Sequence, residues 1–408
     1  MSQPKPTLLY VTTELPYPPD SGGRIKSFRL LQFLTAHFNV KLICAFGGKR
    51  KKAVQALKEA IPGLQHMQVF DNHQPRTGIN FFIALMTAPS FNAFRIYSKE
   101  LETMIKWSAE ASDVVIVDHA ETIDLIPEEF KGKIIYHSHN AEFKLWSDFA
   151  TMRGTFLTKW MLEWEASRVK QLERYAIKRS TFTFAAPNDQ EALMSELGLE
   201  SGQFRTTYHL GNDALLKLDP IDLESNKKEV FYAGTLSWEP NRDGIHWFIQ
   251  NCWPKIYAKE PNAILNVCGS GSDKALSSLM KQTKGVNPLG FVDDLEPIMQ
   301  KCRCAIVPLR FGSGMKIKTF DALYRGLPLV TTSVGAEGIE IENKKHAYIV
   351  DEIDAFAETV ISVLNDTKTA TTLRDQGRLI SKEKYNYHSM LNSMLDDKTT
   401  CVCTCSTK

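Results

Sequence analysis

The stretch Val307-Pro308-Leu309-Arg310-Phe311-Gly312-Ser313-Gly314-Met315-Lys316-Ile317-Lys318-Thr319-Phe320-Asp321-Ala322-Leu323-Tyr324-Arg325-Gly326-Leu327-Pro328-Leu329-Val330 decides the fold. An apolar strand ends at Pro308, a glycine loop follows, and a helix starts near Met315. Gly326 stops that helix before Pro328 opens the next strand. A strand, glycine loop and helix in this order make a cradle for an anion. The first N–H groups of the helix lack partners, and the positive end of its dipole is worth ~0.3–1 kcal/mol per neighbouring negative charge. Gly312 and Gly314 let a ligand approach the backbone, while Lys316 and Lys318 add full positive charge. Asp321 falls about two turns into the helix. There a carboxylate cannot hold phosphate, but it can accept hydrogen bonds from ribose hydroxyls. The run is neither a Walker motif nor a Gly-x-Gly-x-x-Gly fingerprint.

Outward from this stretch, short apolar or β-branched runs alternate with helical segments along the whole chain, the pattern of parallel sheets covered by helices. The first half reads as strands at 7–12, 40–46, 64–70, 114–118, 133–138 and 181–186; the second half as strands at 229–233, 263–269, 286–290, 304–308, 328–332 and 346–350. Between them, Lys217 to Lys228 has no periodic apolar face and holds Pro220, Asp222, Glu224, Ser225 and Asn226. The expected fold class is therefore α/β, with two doubly wound, Rossmann-like parallel-sheet domains facing a cleft. The domains are expected at 1–222 and 223–369. A C-terminal helix over 370–395 is expected to return to the first domain, and 396–408 to form a disordered tail.

The chain has 408 residues, and at ~100–200 residues per domain this fits two. Its hydrophobic fraction of 43% and charged fraction of 24% are those of soluble globular proteins and exclude disorder, collagen and coiled coil. A formal charge of +2 does not advertise nucleic acid as a partner. The N-terminus lacks the long apolar region of a secretory signal. The longest apolar stretch, Ile79 to Phe91, is shorter than the ~18 residues of a membrane span. Of the eight cysteines, Cys44, Cys252, Cys268, Cys302 and Cys304 sit in apolar patterns where a reduced thiol acts as a small hydrophobe, which fits a cytoplasmic protein. Cys401, Cys403 and Cys405 alternate in the tail with no His or carboxylate close by to complete a metal site.

With these pieces in order, the chain resembles the large retaining glycosyltransferase family called group 1, or family 4, which has the GT-B fold. Leu15-Pro16-Tyr17-Pro18-Pro19-Asp20-Ser21-Gly22-Gly23-Arg24 is similar to the family's first glycine loop, and Tyr136-His137-Ser138-His139-Asn140-Ala141-Glu142 to its His-Asn-x-Glu turn. Phe231-Tyr232-Ala233-Gly234-Thr235-Leu236, Asn241-Arg242-Asp243-Gly244, Cys268-Gly269-Ser270-Gly271 and Gly290-Phe291-Val292 follow in the family's order.

The resemblance implies a second domain that holds a nucleotide-diphosphate sugar and a first domain that holds a hydroxyl acceptor. Transfer would retain the anomeric configuration, in polysaccharide or glycan assembly, with no metal and no cofactor beyond the donor itself. It places Ser313, Gly314, Met315, Lys316, Ile317 and Lys318 on the diphosphate, Asp321 on the ribose, and Gly234, Asn241 and Gly269 on the phosphate side. Phe291 and Val292 would meet the base, and Gly22 and Gly23 would close over sugar and diphosphate. His139 lies nearest the reacting sugar in this reading, with His137, Asn140 and His119 as sugar or acceptor contacts. A competing reading has the histidines cap the helix beginning near Glu142.

The sequence also departs from the family. Of two glutamates eight positions apart, the first is Ser313 and the second Asp321. The usual basic residue after the donor-domain glycine is absent, with Arg242 or Lys316 as the expected substitute. A nucleotide-sugar 2-epimerase or a non-catalytic binding subunit is the alternative. A lipid surface is weighed as a partner for the basic helix Trp160 to Arg179 and for the run Phe81 to Met86. Core packing is the expectation for both, with peripheral membrane contact through the N-terminal domain as the alternative.

Overall fold

In the computed structural model, residues 5–19, 22–45, 51–64, 66–71, 73–152, 156–207, 213–225, 228–312 and 316–386 are described. The chain forms two compact units, and the division falls between Thr207 and Asp213. The first unit holds β1 (Thr7–Thr12), β2 (Asn39–Cys44), β3 (His66–Val69), β4 (Val114–Val117), β5 (Lys133–His137), β6 (Phe182–Ala185) and β7 (Phe204–Thr206). They form one parallel sheet in the order β3-β2-β1-β4-β5-β6-β7. The second unit holds β8 (Glu229–Ala233), β9 (Ile264–Cys268), β10 (Val286–Gly290), β11 (Cys304–Val307), β12 (Leu329–Thr331) and β13 (Tyr348–Ile349), in the order β10-β9-β8-β11-β12-β13, again all parallel.

Both sheets run outward from their first strand and then restart on its other side. The order therefore reverses between β1 and β4 and between β8 and β11. Ligands of open α/β sheets bind outside the carboxyl ends of the strands at such reversals. The central strands are buried on both faces, as parallel sheets covered by helices require: Leu8, Leu9, Tyr10 and Val11 in β1, and Cys304 to Val307 in β11. The five cysteines named above that lie in these patterns are buried free thiols, and burial pushes Cys252 and Cys302 up to about 12.

Several expectations are corrected. The strand β7 is absent from the sequence reading, being three residues on a sheet edge. The segment after Asp213, expected to belong partly to the first domain up to 222, is strapped to the second unit by arginines. Arg325 donates to Asp219 O (2.9 Å), Arg374 to Ile221 O (2.8 Å), Arg378 to Leu216 O (2.8 Å) and Leu218 O (2.9 Å), and Arg303 to Leu223 O.

The last helix runs Thr367–Glu383, with Asp366 accepting from Lys368 N and Thr369 N at its start. Its buried face packs on the helix Ile317–Arg325, so through Glu383 it belongs to the second unit and does not return to the first. Tyr385 then anchors there, its ring 5.0 Å from that of Phe320 and its hydroxyl accepting from Glu340 N at 2.7 Å. The rest of the stretch expected to return, and the cysteines of the tail, lie outside the described residues.

The run Phe81 to Met86 is only half core. It belongs to the helix Gly78–Thr87, where Phe81 and Ala84 are buried while Phe82, Ile83 and Met86 face solvent. The helix Phe156–Arg179 buries Val169, Leu172, Ala176 and Ile177 as expected, but Trp160 and Trp164 are exposed. Glu165 and Glu173 on this helix are fully buried and cap neighbouring helices. Among the described residues, no helix is long and apolar enough to cross a membrane.

Candidate functional site

At the reversal of the second sheet, the carboxyl ends of β8, β9 and β10 meet through glycines. Gly234 N donates to Cys268 O, Leu236 N to Ser270 O and Gly269 N to Gly290 O. Gly269 has φ +149° and its Cα lies so close to Gly234 that a Cβ would stand 1.9 Å from Gly234 O. Only glycine allows this approach, so Gly269 shapes the site and need not touch a ligand.

The loop from β11 carries Gly312 at φ +124° and leads to the helix Ile317–Arg325, whose N-cap residue Lys316 makes no side-chain bond to the first N–H groups. Thr332 fastens this loop by donating from its hydroxyl to Leu309 O. The adjoining residues Ser313, Gly314 and Met315 lie outside the described residues.

Lys318, in the first turn of that helix, reaches across to β8. Its Nζ donates to Asn241 Oδ1 and sits 5.6 Å from the Tyr232 ring centroid. A Cβ on Gly234 would stand 3.2 Å from that Nζ. Burial first, and then the neighbouring Lys316, push Lys318 down to about 7. Burial favours the neutral amine there, and a negative charge brought alongside would favour the ammonium. Lys316 donates from Nζ to Gly312 O at 2.9 Å and pairs with Glu337 at 3.4 Å, so it braces the loop. Arg242, the other expected substitute for the family's missing base, is taken up by Glu239 and by Asp273 at 3.4 Å. Lys318 is thus the cation that the geometry presents. Asp321 lies one turn further along the same helix, and Ile317 opens it. Phe291 is exposed on the loop after β10, beside half-buried Val292.

At the reversal of the first sheet, the hub is Asp118, just past β4. Its Oδ1 accepts from His137 Nδ1 at 2.7 Å and from His139 Nε2 at 3.0 Å, and its Oδ2 accepts from Ser27 Oγ at 2.6 Å. Burial alone would raise the Asp118 carboxyl, but the two histidines hold it well below the usual carboxylate range. Burial pushes His139 down to about 3, so its ring is neutral at physiological pH. An ionised carboxylate only accepts, so His139 carries its proton on Nε2 and leaves Nδ1 as a bare acceptor. That Nδ1 is buried and has no partner among the described residues, and it faces the start of the helix Gly22–His37, where a Cβ on Gly23 would stand 3.4 Å away. The His119 ring stacks on His139 at 4.4 Å, and Lys26 Nζ donates to His139 O at 3.0 Å.

The histidines do not cap the next helix. The helix Glu142–Met152 is capped by Glu173, which accepts from Glu142 N and Phe143 N at 3.0 Å each, and Asp189 accepts from Ala141 N. Glu142 itself is pushed up to about 7, first by burial and then by Glu121. Asn140 donates to Glu142 Oε1 at 3.4 Å.

The structure thus gathers His119, His137 and His139 with Gly23, and separately Gly234, Asn241, Lys318 and Gly269. Asp118, Ser27, Lys26 and Tyr232 are the parts that sequence reasoning missed. Asp118, His137 and His139 also form the one group among the described residues whose ligand atoms lie within 4.8 Å of one another, as a metal site needs. Each of the two rings already spends a nitrogen proton on the carboxylate, an arrangement that satisfies the group without a cation.

The paired parallel-sheet units, with a glycine cradle at one switch point and a histidine cluster at the other, have the fold of GT-B glycosyltransferases. Residues 227–366 match the family described as glycosyl transferases group 1. A crystal structure of Anabaena HepE in complex with UDP-glucose is similar at a TM-score of 0.65, with 14% identity over 95% of this chain and 98% of that one. TarM, whose S. aureus structures include a complex with UDP, gives 0.66 at 12% identity, covering 96% and 98% of the two chains. An uncharacterized 44.6 kDa protein of the cps region of Klebsiella pneumoniae is 21% identical over 404 residues, 96% of this chain and 99% of its own length.

Proposed function

We propose that this chain is a glycosyltransferase that moves a sugar from a nucleotide-diphosphate donor to a hydroxyl acceptor, with retention of configuration and without a metal. The observation that carries the reading is Lys318, a half-buried ammonium held on Asn241 at the mouth of a helix whose N-cap residue makes no side-chain bond to it, within the residues that match the family. Breaking a sugar–phosphate bond leaves negative charge on the departing diphosphate. Donors fixed there in advance, Lys318 and the first N–H groups of the helix, stabilise that charge as it develops. The cation that a metal would otherwise supply is provided by the lysine. Asp321 accepts from the ribose hydroxyls.

In the first unit, the bare Nδ1 of His139 accepts a hydrogen bond from a sugar or acceptor hydroxyl, and Asp118 holds the ring in the tautomer that makes this possible. HepE with UDP-glucose supports a UDP-type donor, and kinship to a protein of a cps region supports a role in polysaccharide assembly. Reduced buried thiols and the membrane-span result fit work at the cytoplasmic face.

The test is to incubate the protein with UDP-, GDP- and ADP-sugars and lipid-linked or glycan hydroxyl acceptors, with and without chelator. Nucleoside diphosphate release and the anomeric proton of the product are then followed by NMR. The reading expects release that survives chelation and an α-linked product from an α-donor. A sugar changed at its second carbon without any acceptor would replace it with the epimerase reading.

A further inference from the structure

The helix Gly78–Thr87 is apolar around most of its circumference, with Asn80 and Thr87 as its polar side chains. Its inner face, Phe81 and Ala84, packs on Phe91 together with Trp146 and Met161. Its outer face shows Ile79, Phe82, Ile83 and Met86, which are 75%, 66%, 42% and 74% exposed. These four fall at i, i+3, i+4 and i+7, one continuous stripe. Scattered exposed leucines and isoleucines are ordinary, but a row of four large apolar side chains on one helix is an interaction surface.

Two observations say what covers it. From Thr77 to Phe94 there is no charged residue, and the nearest acidic residues in sequence are Asp71 and Glu100; exposed Arg76 stands just before the helix. A protein partner is usually met by an apolar centre with a polar, charged rim, whereas an uncharged stripe edged by an arginine suits acyl chains beneath phosphate headgroups. The helix Phe156–Arg179 touches the helix Gly78–Thr87 through Met161, packed on the cluster of Phe81 and Ala84, and through Arg168, which donates to Ala84 O at 2.7 Å. It exposes Trp160 and Trp164, whose ring centroids lie 5.2 Å apart, beside the exposed pair Lys159–Glu163, whose charges offset each other. Tryptophans with an apolar body and a polar N–H concentrate at the lipid–water boundary.

We infer that this face of the first unit, Ile79, Phe82, Ile83 and Met86 with Trp160, Trp164 and Arg76, docks on a bilayer surface. The contact gives the proposed transferase a lipid-borne acceptor to work on, and to that extent it rests on the reading above. Its test does not depend on catalysis.

The protein is sedimented with vesicles of phosphatidylcholine alone and of phosphatidylcholine with phosphatidylglycerol. The wild type is expected to pellet with both and more with the anionic mixture. The I79S/F82S/I83S/M86S variant, whose changes all lie at exposed positions, is expected to bind at least tenfold less while melting at an unchanged temperature. Arg76→Glu should lose only the anionic preference. To hold the inference even if the quadruple variant misfolds, Phe82→Trp should show added quenching by lipids brominated along the acyl chain. Failure to pellet with either vesicle would overturn the inference, as would pelleting without quenching at position 82. Self-association of the wild type in ultracentrifugation that the quadruple variant abolishes would assign the face to a second copy instead. None of these outcomes touches donor turnover, so the glycosyltransferase reading stands or falls separately.

Discussion

The two switch-point sites manage charge in opposite ways. In the second unit a cation is left underpaid: Lys318 has a neutral amide for its nearest partner, Lys316 close by, and a pKa pushed down to about 7 by burial and that neighbour. In the first unit one ionised carboxylate serves two imidazoles and a hydroxyl, and among the described residues His139 Nδ1 is left over as an acceptor. In the reading proposed above, the former receives the anion of a leaving diphosphate and the latter orients a hydroxyl.

The largest expected effect separates the two. Lys318→Ala should cut donor turnover by ~10²–10³-fold, the cost of losing one stabiliser of transition-state charge. Nucleoside diphosphate release measures it, and unchanged release in a folded variant would break the assignment of the second site.

Asp118→Ala strikes the other network. It removes the acceptor of three buried hydrogen bonds, and with such bonds to a charged group near 1.5–3 kcal/mol each the loss of stability should be on the order of 3 kcal/mol after relaxation. Urea unfolding measures this loss. A loss below about 1 kcal/mol would show that the histidines do not depend on the carboxylate.

The smallest effect sharpens the first site's electrostatics. Glu142 has a folded pKa raised to about 7 from 4.5, so between those values the native state binds more protons than the unfolded chain. Stability should fall as pH rises through that window. Glu142→Gln should therefore raise the melting temperature at pH 8 and leave it unchanged at pH 4. An equal shift at both pH values would contradict the buried-carboxyl account.

These sites differ also in how far they could be read in advance. The cradle is local: Gly312, Lys316, Lys318 and Asp321 sit within ten residues, and strand, loop and helix signals surround them. Tyr232 beside the Lys318 ammonium and the close backbone approach of Gly269 to Gly234 needed coordinates, because no spacing announces either. The first site is assembled across β1, β4 and β5. His137 and His139 stand out beside a strand end, but Asp118 is one acidic residue among many until the sheet order β1-β4-β5 brings its carboxyl under both rings.

The central strands were legible because buried parallel strands are continuous apolar runs, whereas the edge strand β7 has only three residues, too short for a pattern. The boundary near 222 was misplaced for a related reason. Loop composition marks Lys217 to Lys228 as irregular, but the arginines that strap 215–223 to the second unit come from distant helices and a strand start. Phe82, Ile83 and Met86 were taken for core because hydropathy alone does not distinguish a face turned to protein from one turned elsewhere.

The central claim is that the second site takes a nucleoside diphosphate on Lys318. The most direct measurement is calorimetric titration of wild type and Lys318→Ala with UDP, GDP and ADP at pH 6 and pH 8. Because Lys318 is protonated below about 7, the account predicts micromolar-range binding of one diphosphate at pH 6, weaker by up to about tenfold per unit as pH rises past 7. Binding should be lost or pH-independent in the variant. No binding by folded wild type, or equal affinity in the two proteins, would contradict it.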